Sequence, residues 1–311
     1  RYLASGAGWA AGGRQLTFKA GYSLYIIEIM PTKESIMKCA VLILTVFSTG
    51  AAFTSLALAA DTVVEPLYTK SAQRYSSWVF DAYAEHYKDR KFEEIDDVDA
   101  TELRIDLTVP ILSRGQLRLS LPFYTDGDGR RIENGKSTDI DGNGGTFNFA
   151  SVTYEHQFMD AAEDEFNLMV YAGLGNRTDK LDTSHGDYMN HRGRNATAGI
   201  RMDGAVGSSM SLLSDIGYQY YWDTDDLDPS GENDTSFGHL LASVAVIKYD
   251  LALKPALELK YLGDLGDYNN FQVVPELIYS FKAVDLKFGV PIGLTSDADD
   301  YGVTLGFTDR N

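Results

Sequence analysis

Glu102, Arg104 and Asp106 alternate with Leu103, Ile105 and Leu107, so a strand would carry all three charges on one face and the apolar residues on the other. The same division recurs along the chain. Arg118 falls with Gln116 and Ser120, Tyr171 with Asn167 and Met169, and Arg201 with Asn195 and Asp203. Asp215 falls with Gln219 and Tyr221, Glu258 and Lys260 with Lys254, and Asp285 and Lys287 alternate with Val284, Leu286 and Phe288. Opposed fixed charges on one face of a sheet can set a transverse field that orients and selects a passing solute. Tyr83, Tyr171 and Tyr221 on the same faces would offer stacking surfaces to cyclic or aromatic solutes.

The elements that must position these residues are strands. Residues 101–125 form a hairpin in which Leu103 to Ile111 and Leu117 to Phe123 supply the apolar faces around a turn at Ser113-Arg114-Gly115. Each arm is about ten residues long, which is what a tilted strand needs to cross a bilayer. From Ser76 onward there are about twelve such segments. Long polar connections, including 89–100, 126–145, 176–193 and 223–235, alternate with short turns such as Asp250 and Lys282. The pattern predicts an all-β fold, an antiparallel up-and-down transmembrane barrel over residues 76–311, with the long loops outside and short turns on the periplasmic side. Residues 60–75 are expected to form a periplasmic N-terminal segment. Residues 237–249 are apolar on both faces, and alternation alone does not orient them.

An n-region at Met37-Lys38, an apolar run from Cys39 and a small-x-small site at Ala57-Leu58-Ala59 read as a signal peptide over 37–59, with 1–36 an upstream or miscalled extension. Its removal takes five of 27 basic and two of 45 acidic residues, leaving 22 minus 43, a charge of −21. Nucleic acid is excluded as a partner on that balance. Cys39 is the single cysteine and leaves with the leader, so no disulfide or thiol chemistry is expected beyond it.

Alternation fits a soluble barrel and a membrane barrel equally, and three features favour the membrane. Twelve strands enclose more room than the side chains of a small barrel fill. The polar faces mix charge with Gly, Ser, Thr and Tyr, as a wetted lumen does, and Tyr218, Tyr220, Trp222, Tyr249, Tyr261, Tyr279 and Phe281 gather near strand ends like interfacial girdles. On these segments the chain resembles Gram-negative outer-membrane channel barrels. More locally, LRLSLPFY and GVPIGLTSDADDYGVTLGF are similar to segments of the transporter-like outer-membrane proteins of phenol-degradation pathways. The resemblance implies an outer-membrane location, contact with outer-membrane lipids and lipopolysaccharide, assembly by the barrel-assembly machinery, and passage of a small solute. Tyr301, Val303, Leu305 and Phe307 resemble the C-terminal assembly signal of the class, with Thr308 to Asn311 added after it.

Two further chemistries are weaker. Asp139, Asp141 and Asn143 before Gly144 open like a calcium loop, but position twelve is Ala150 rather than Glu. No cofactor is expected, and the acidic outer loops, Asp223 to Asp228 among them, are the candidate places for a divalent cation. Ser184 and His185, with Asp182, Asp187, Asn190 and His191 nearby, are the elements of an outer-membrane lipid hydrolase, but their spacing matches no nucleophile motif. The function expected is passive passage of small solutes without catalysis, against the alternatives of a lipid hydrolase and a non-conducting structural or adhesion barrel.

Overall fold

A computed structural model describes residues 13–17, 23–27, 64–92, 95–133, 136–143, 150–183, 188–222, 236–266 and 268–310. The leader at 37–59, the acidic stretch at 223–235 and the Ser184, His185 pair lie outside the described residues. The chain divides into two units, Arg1–Gly50 and Ala51–Asn311. In the first, β1 (Gly13–Thr17) pairs antiparallel with β2 (Ser23–Ile27).

In the second, the strands are β3 (Val79–Phe92), β4 (Ile95–Pro110), β5 (Gly115–Glu133), β6 (Lys136–Asn143), β7 (Ala150–Met159), β8 (Asn167–Thr183) and β9 (Tyr188–Val206). They continue as β10 (Met210–Trp222), β11 (Ser236–Lys248), β12 (Leu253–Gly263), β13 (Asn269–Phe281), β14 (Val284–Gly289), β15 (Ile292–Gly293) and β16 (Tyr301–Arg310). Twelve of them, β3 to β5, β7 to β14 and β16, close into an antiparallel barrel, with β16 returning to β3 through pairs such as Leu305 with Ala84. Closure removes every sheet edge. In hydrocarbon that is a requirement, because an unpaired backbone N–H or C=O there costs several kcal/mol.

The alternation resolves as expected. Leu174 is 66% exposed on the outside of β8, whereas Glu155, Glu258 and Asp285 are fully buried on the inside of β7, β12 and β14. Outward Leu257, Leu277, Leu286 and Leu305 continue the apolar belt, and Tyr218, Tyr220, Tyr279 and Phe281 stand exposed near its rims. Register settles the strand that sequence left unoriented. Ser243 pairs with inward Asp215 on one side and inward Lys260 on the other, so His239, Ser243, Ala245 and Ile247 of β11 face the lumen. Tight turns fall where φ turns positive, at Gly207 (66°) and Lys282 (55°).

Three expected loops are instead largely strand. Residues 89–100 are taken up by the ends of β3 and β4, 126–145 by β5 and β6, and 176–193 by β8 and β9. A strand that rises beyond the bilayer has water on both faces, so it needs backbone pairing but no apolar side. Composition rich in Asp and Gly therefore does not exclude it. Asp139, Asp141 and Asn143 sit on β6, where the backbone is extended rather than curled as in a calcium loop, and their side chains lie outside the described residues.

Inside the wall, Tyr171 lies across two glycines of neighbouring strands. A Cβ on Gly199 would stand 2.4 Å from the Tyr171 hydroxyl and 2.5 Å from the Ile216 carbonyl oxygen. Gly199→Val should therefore lower the temperature at which the folded barrel loses its compact gel mobility, by an overpacking cost of about 1–3 kcal/mol. Unchanged heat-modifiability would show that the ring is free to move away.

Candidate functional site

The lumen is occupied by the chain's own residues. Residues 64–78, ahead of β3, carry no alternation and form no strand; they run as a strap that bends at 67–69, 72–73 and 76–77, with 64–75 inside the barrel wall. The part of the N-terminal segment that is described, 64–75, is thus lumenal rather than free on the periplasmic side. Glu65, Leu67, Thr69, Ser71 and Ala72 are at most 1% exposed. Val64 packs on an inward apolar cluster of Leu213, Ala245, Ile247, Ala256 and Ile278 near the short-turn end. Leu67 sits over two inward glycines; a Cβ on Gly289 would stand 2.4 Å from one of its methyl carbons, and one on Gly306 would stand 2.8 Å from the other.

The backbone of the strap is held by wall side chains. The Leu67 N–H donates to Glu276 (3.1 Å), and those of Tyr68 and Thr69 donate to Glu258 (3.1 and 2.6 Å). The Ala72 N–H and the Ser71 hydroxyl donate to Asp203 (2.5 and 2.6 Å). The Arg74 N–H donates to Gln157 and the Tyr75 N–H to Gln116, each at 3.0 Å. In the reverse sense Lys287 Nζ donates to the Pro66 carbonyl at 3.3 Å. Lys260 Nζ lies 3.6 Å from the centre of the Tyr68 ring, and the Tyr68 and Thr304 hydroxyls are 2.7 Å apart. Lys70 donates to the Tyr83 hydroxyl at 2.6 Å and lies 3.5 Å from both Asp81 and Glu65. Burial alone would raise the Glu65 carboxyl, but the charges of Lys70, Arg118 and Lys287 outweigh it and hold the group below its ordinary value.

Beside the strap runs a charge ladder built across β5, β7, β9 and β10. Glu155 Oε1 accepts from Arg201 Nη1 at 2.6 Å and lies 3.0 Å from Arg118 Nε, while Glu155 Oε2 accepts from Gln116 at 2.5 Å. Arg201 Nε reaches Asp215 at 2.8 Å, Tyr171 donates to the same carboxylate at 2.7 Å, and the Arg201 guanidinium covers the Tyr171 ring at 4.4 Å. On β3 and β4, Arg104 lies 3.4 Å from Asp106 and covers Tyr83 at 4.4 Å, and Ser120 donates to Asp106 at 2.6 Å. Asp285 is bonded to Arg310 on β16, and Asp81 to Thr308.

All eleven residues assigned to the lumen from sequence lie on inward positions: Glu102, Arg104, Asp106, Arg118, Tyr171, Arg201, Asp215, Glu258, Lys260, Asp285 and Lys287. Arg118 and Arg201 are joined through Glu155, and Asp215 and Tyr171 through Arg201, whereas Glu258, Lys260 and Lys287 meet the strap instead. The faces expected to stack on solutes are engaged by protein groups: Tyr83 by Arg104, Tyr171 by Arg201, and Tyr221 by Phe237 at 4.6 Å. Phe237, His239 and Tyr268 continue that aromatic row at 5.0 and 5.2 Å between centres. Sequence reasoning missed the strap because the row EPLYTKSAQRY has no period to read. Among the described residues no group of three or more His, Cys, Asp and Glu could hold a metal ion.

A closed twelve-stranded antiparallel barrel with an apolar outer belt and a polar interior is an outer-membrane barrel. The chain overlays on an outer membrane channel from Pseudomonas putida F1 with a TM-score of 0.52 at 13% identity, covering 79% of this chain and 99% of that one. Looser overlays are with the transport unit of the autotransporter AIDA-I from Escherichia coli (TM-score 0.48, 10% identity, 81% and 95% covered) and the toluene transporter TodX of P. putida (0.38, 9%, 77% and 80%). No protein-family model and no curated protein matches the sequence.

Glu155 is the only carboxylate placed between Arg118 and Arg201 among the described residues, and its side chain is fully buried. Glu155→Gln should cost about 3–5 kcal/mol, because two guanidiniums lose their shared counter-charge. Urea unfolding of the refolded barrel measures it. A shift of the midpoint within error would mean that water already screens the ladder.

Proposed function

We propose that the chain is an outer-membrane channel for passive passage of small solutes, with the strap of residues 64–78 setting how far the lumen is open. The observation that carries this reading is the way the strap is held. Six strap N–H groups from residue 67 to residue 75 end on wall carboxylates and amides, while Val64 packs on the inward apolar cluster and Leu67 fills the room over Gly289 and Gly306. A segment fixed chiefly by hydrogen bonds to a polar wall can exchange those bonds for water or solute at little net cost, since an intramolecular hydrogen bond contributes only about 1 kcal/mol net. A segment buried by a large apolar face could not. The overlay on an outer membrane channel supports the same class of function.

A second reading, a structural barrel that does not conduct, is favoured by one specific feature. The ladder through Arg118, Glu155, Arg201 and Asp215 and the strap together fill much of the described lumen, as salt bridges fill small closed barrels. The two readings separate in planar bilayers. The chain from Ala60 onward has no cysteine, so Ser71→Cys with Asp203→Cys, at positions whose side chains are 2.6 Å apart, gives a reversible clamp between strap and wall. Discrete currents that fall to a small fraction when the clamp is oxidised and return with reductant are expected for the channel. Absence of current in the wild-type and the reduced variant alike, with heat-modifiable mobility intact, would establish the non-conducting barrel.

A further inference from the structure

The wall carboxylates fall into two groups by what satisfies them. Asp106, Glu155, Asp215 and Asp285 contact arginines of the wall itself, namely Arg104, Arg118, Arg201 and Arg310. Asp203, Glu258 and Glu276 take their donors from the strap, and four of those donors are main-chain N–H groups of residues 67, 68, 69 and 72. Asp203 adds Asn167 and the Ser71 hydroxyl. Gln157 and Gln116 extend the row of acceptors to residues 74 and 75. Lys287 provides a complementary donor, to the Pro66 carbonyl, and Lys260 covers the Tyr68 ring. Acceptors for successive N–H groups, a donor for a carbonyl and a cation over an aromatic ring together describe a site for a peptide main chain that bends as the strap does at 67–69. The strap occupies it as an intramolecular ligand.

Independent of the strap, Gln272 points into the same patch. It is 1% exposed, stands opposite Lys260 in the ladder, and its side-chain oxygen accepts no hydrogen bond among the described residues. A buried acceptor left without a donor is destabilising, and a ligand N–H would satisfy it. One basic side chain of the strap meets an acid of the wall. Lys70 lies between Asp81 and Glu65, the latter being the strap's own residue.

We propose, on the basis of the channel reading above, that the solute this lumen selects is a short basic peptide, which displaces the strap by taking over its main-chain acceptors. A solute lacking N–H groups would leave Glu258 and Glu276 without the strap's donors, and Asp203 with Asn167 alone, as the strap withdraws. An anionic one would set like charge against Glu258 and its neighbour Glu276 on the adjacent strand. The first is rejected by unmade bonds and the second by like charge, neither by size.

The test is swelling of proteoliposomes carrying the refolded chain from Ala60 to Asn311, in isosmotic trilysine, triglutamate, spermidine or arabinose. Trilysine is expected to enter roughly tenfold faster than triglutamate, with charge-assisted hydrogen bonds supplying the difference, and faster than spermidine, which has the charge but no carbonyl for Lys287. The Glu258→Gln, Glu276→Gln double variant should bring the trilysine and triglutamate rates together, and Gln272→Leu should lower the ratio of the trilysine to the arabinose rate. Heat-modifiable mobility checks that each variant is folded. Should arabinose enter while trilysine does not exceed triglutamate, the peptide assignment fails and the channel stands. Equal entry of spermidine and trilysine would overturn the main-chain part of the assignment. Entry of no solute at all would overturn the channel reading, and this one with it.

Discussion

Everything inside this barrel follows from one constraint: a charged or hydrogen-bonding group turned inward from a closed wall must find its partner within the lumen. The wall itself is satisfied by strand pairing, and its outside by hydrocarbon, so the lumen is where the energetic choices remain. The chain meets the constraint twice over. Along β5, β7, β9 and β10 the wall answers its own charges, with Glu155 shared by Arg118 and Arg201. Around Asp203, Glu258 and Glu276 it depends on a separate segment, and the strap supplies the N–H groups. The first arrangement is as permanent as the wall, and the second is as permanent as the strap.

That difference explains where small residues stand. Gly289 and Gly306 interrupt inward faces that otherwise carry Asp285, Lys287, Thr304 and Thr308, and the room they leave is filled by Leu67. Gly199 and Gly217 do the same for Tyr171, which can then lie flat enough to bond Asp215 and receive Arg201 on its face. In a lumen crossed by polar contacts, glycine is placed by what must pass over it rather than by backbone conformation.

The sequence made the wall legible because a strand with lipid on one side and polar groups on the other must alternate. Arg104 and Asp106 declare their face by standing between leucines and isoleucines, and the same logic placed all eleven lumen residues inward. Where the surroundings are alike on both sides the signal disappears. β11 is lined inside by Ala245 and Ile247, which pack on the apolar cluster beneath Val64, so both its faces read as apolar until its register with Asp215 and Lys260 is known. The extensions of β5, β6, β8 and β9 have the opposite problem, with polar residues on both faces, and their Asp and Gly content imitates loop. The strap is a third case. Its order comes from partners up to 236 residues away in sequence, and nothing local in Pro66 to Tyr75 records them.

The same comparison bears on what kind of site a sequence can announce. The ladder is written in residues that pair with their neighbours in the sheet, Arg201 with Asp215 directly across from it, so spacing and alternation suffice to suspect it. The strap site is written in main-chain groups, which every residue except proline carries and which no composition reveals. Its wall half looked from sequence like a generic mixed-charge lumen. Only the position of the strap separates Glu258 and Glu276, which hold a backbone, from Glu155, which holds two arginines. Three buried acids of the same type and face thus have different dependence on a removable segment, and that dependence, rather than net charge, decides which of them an incoming solute must satisfy.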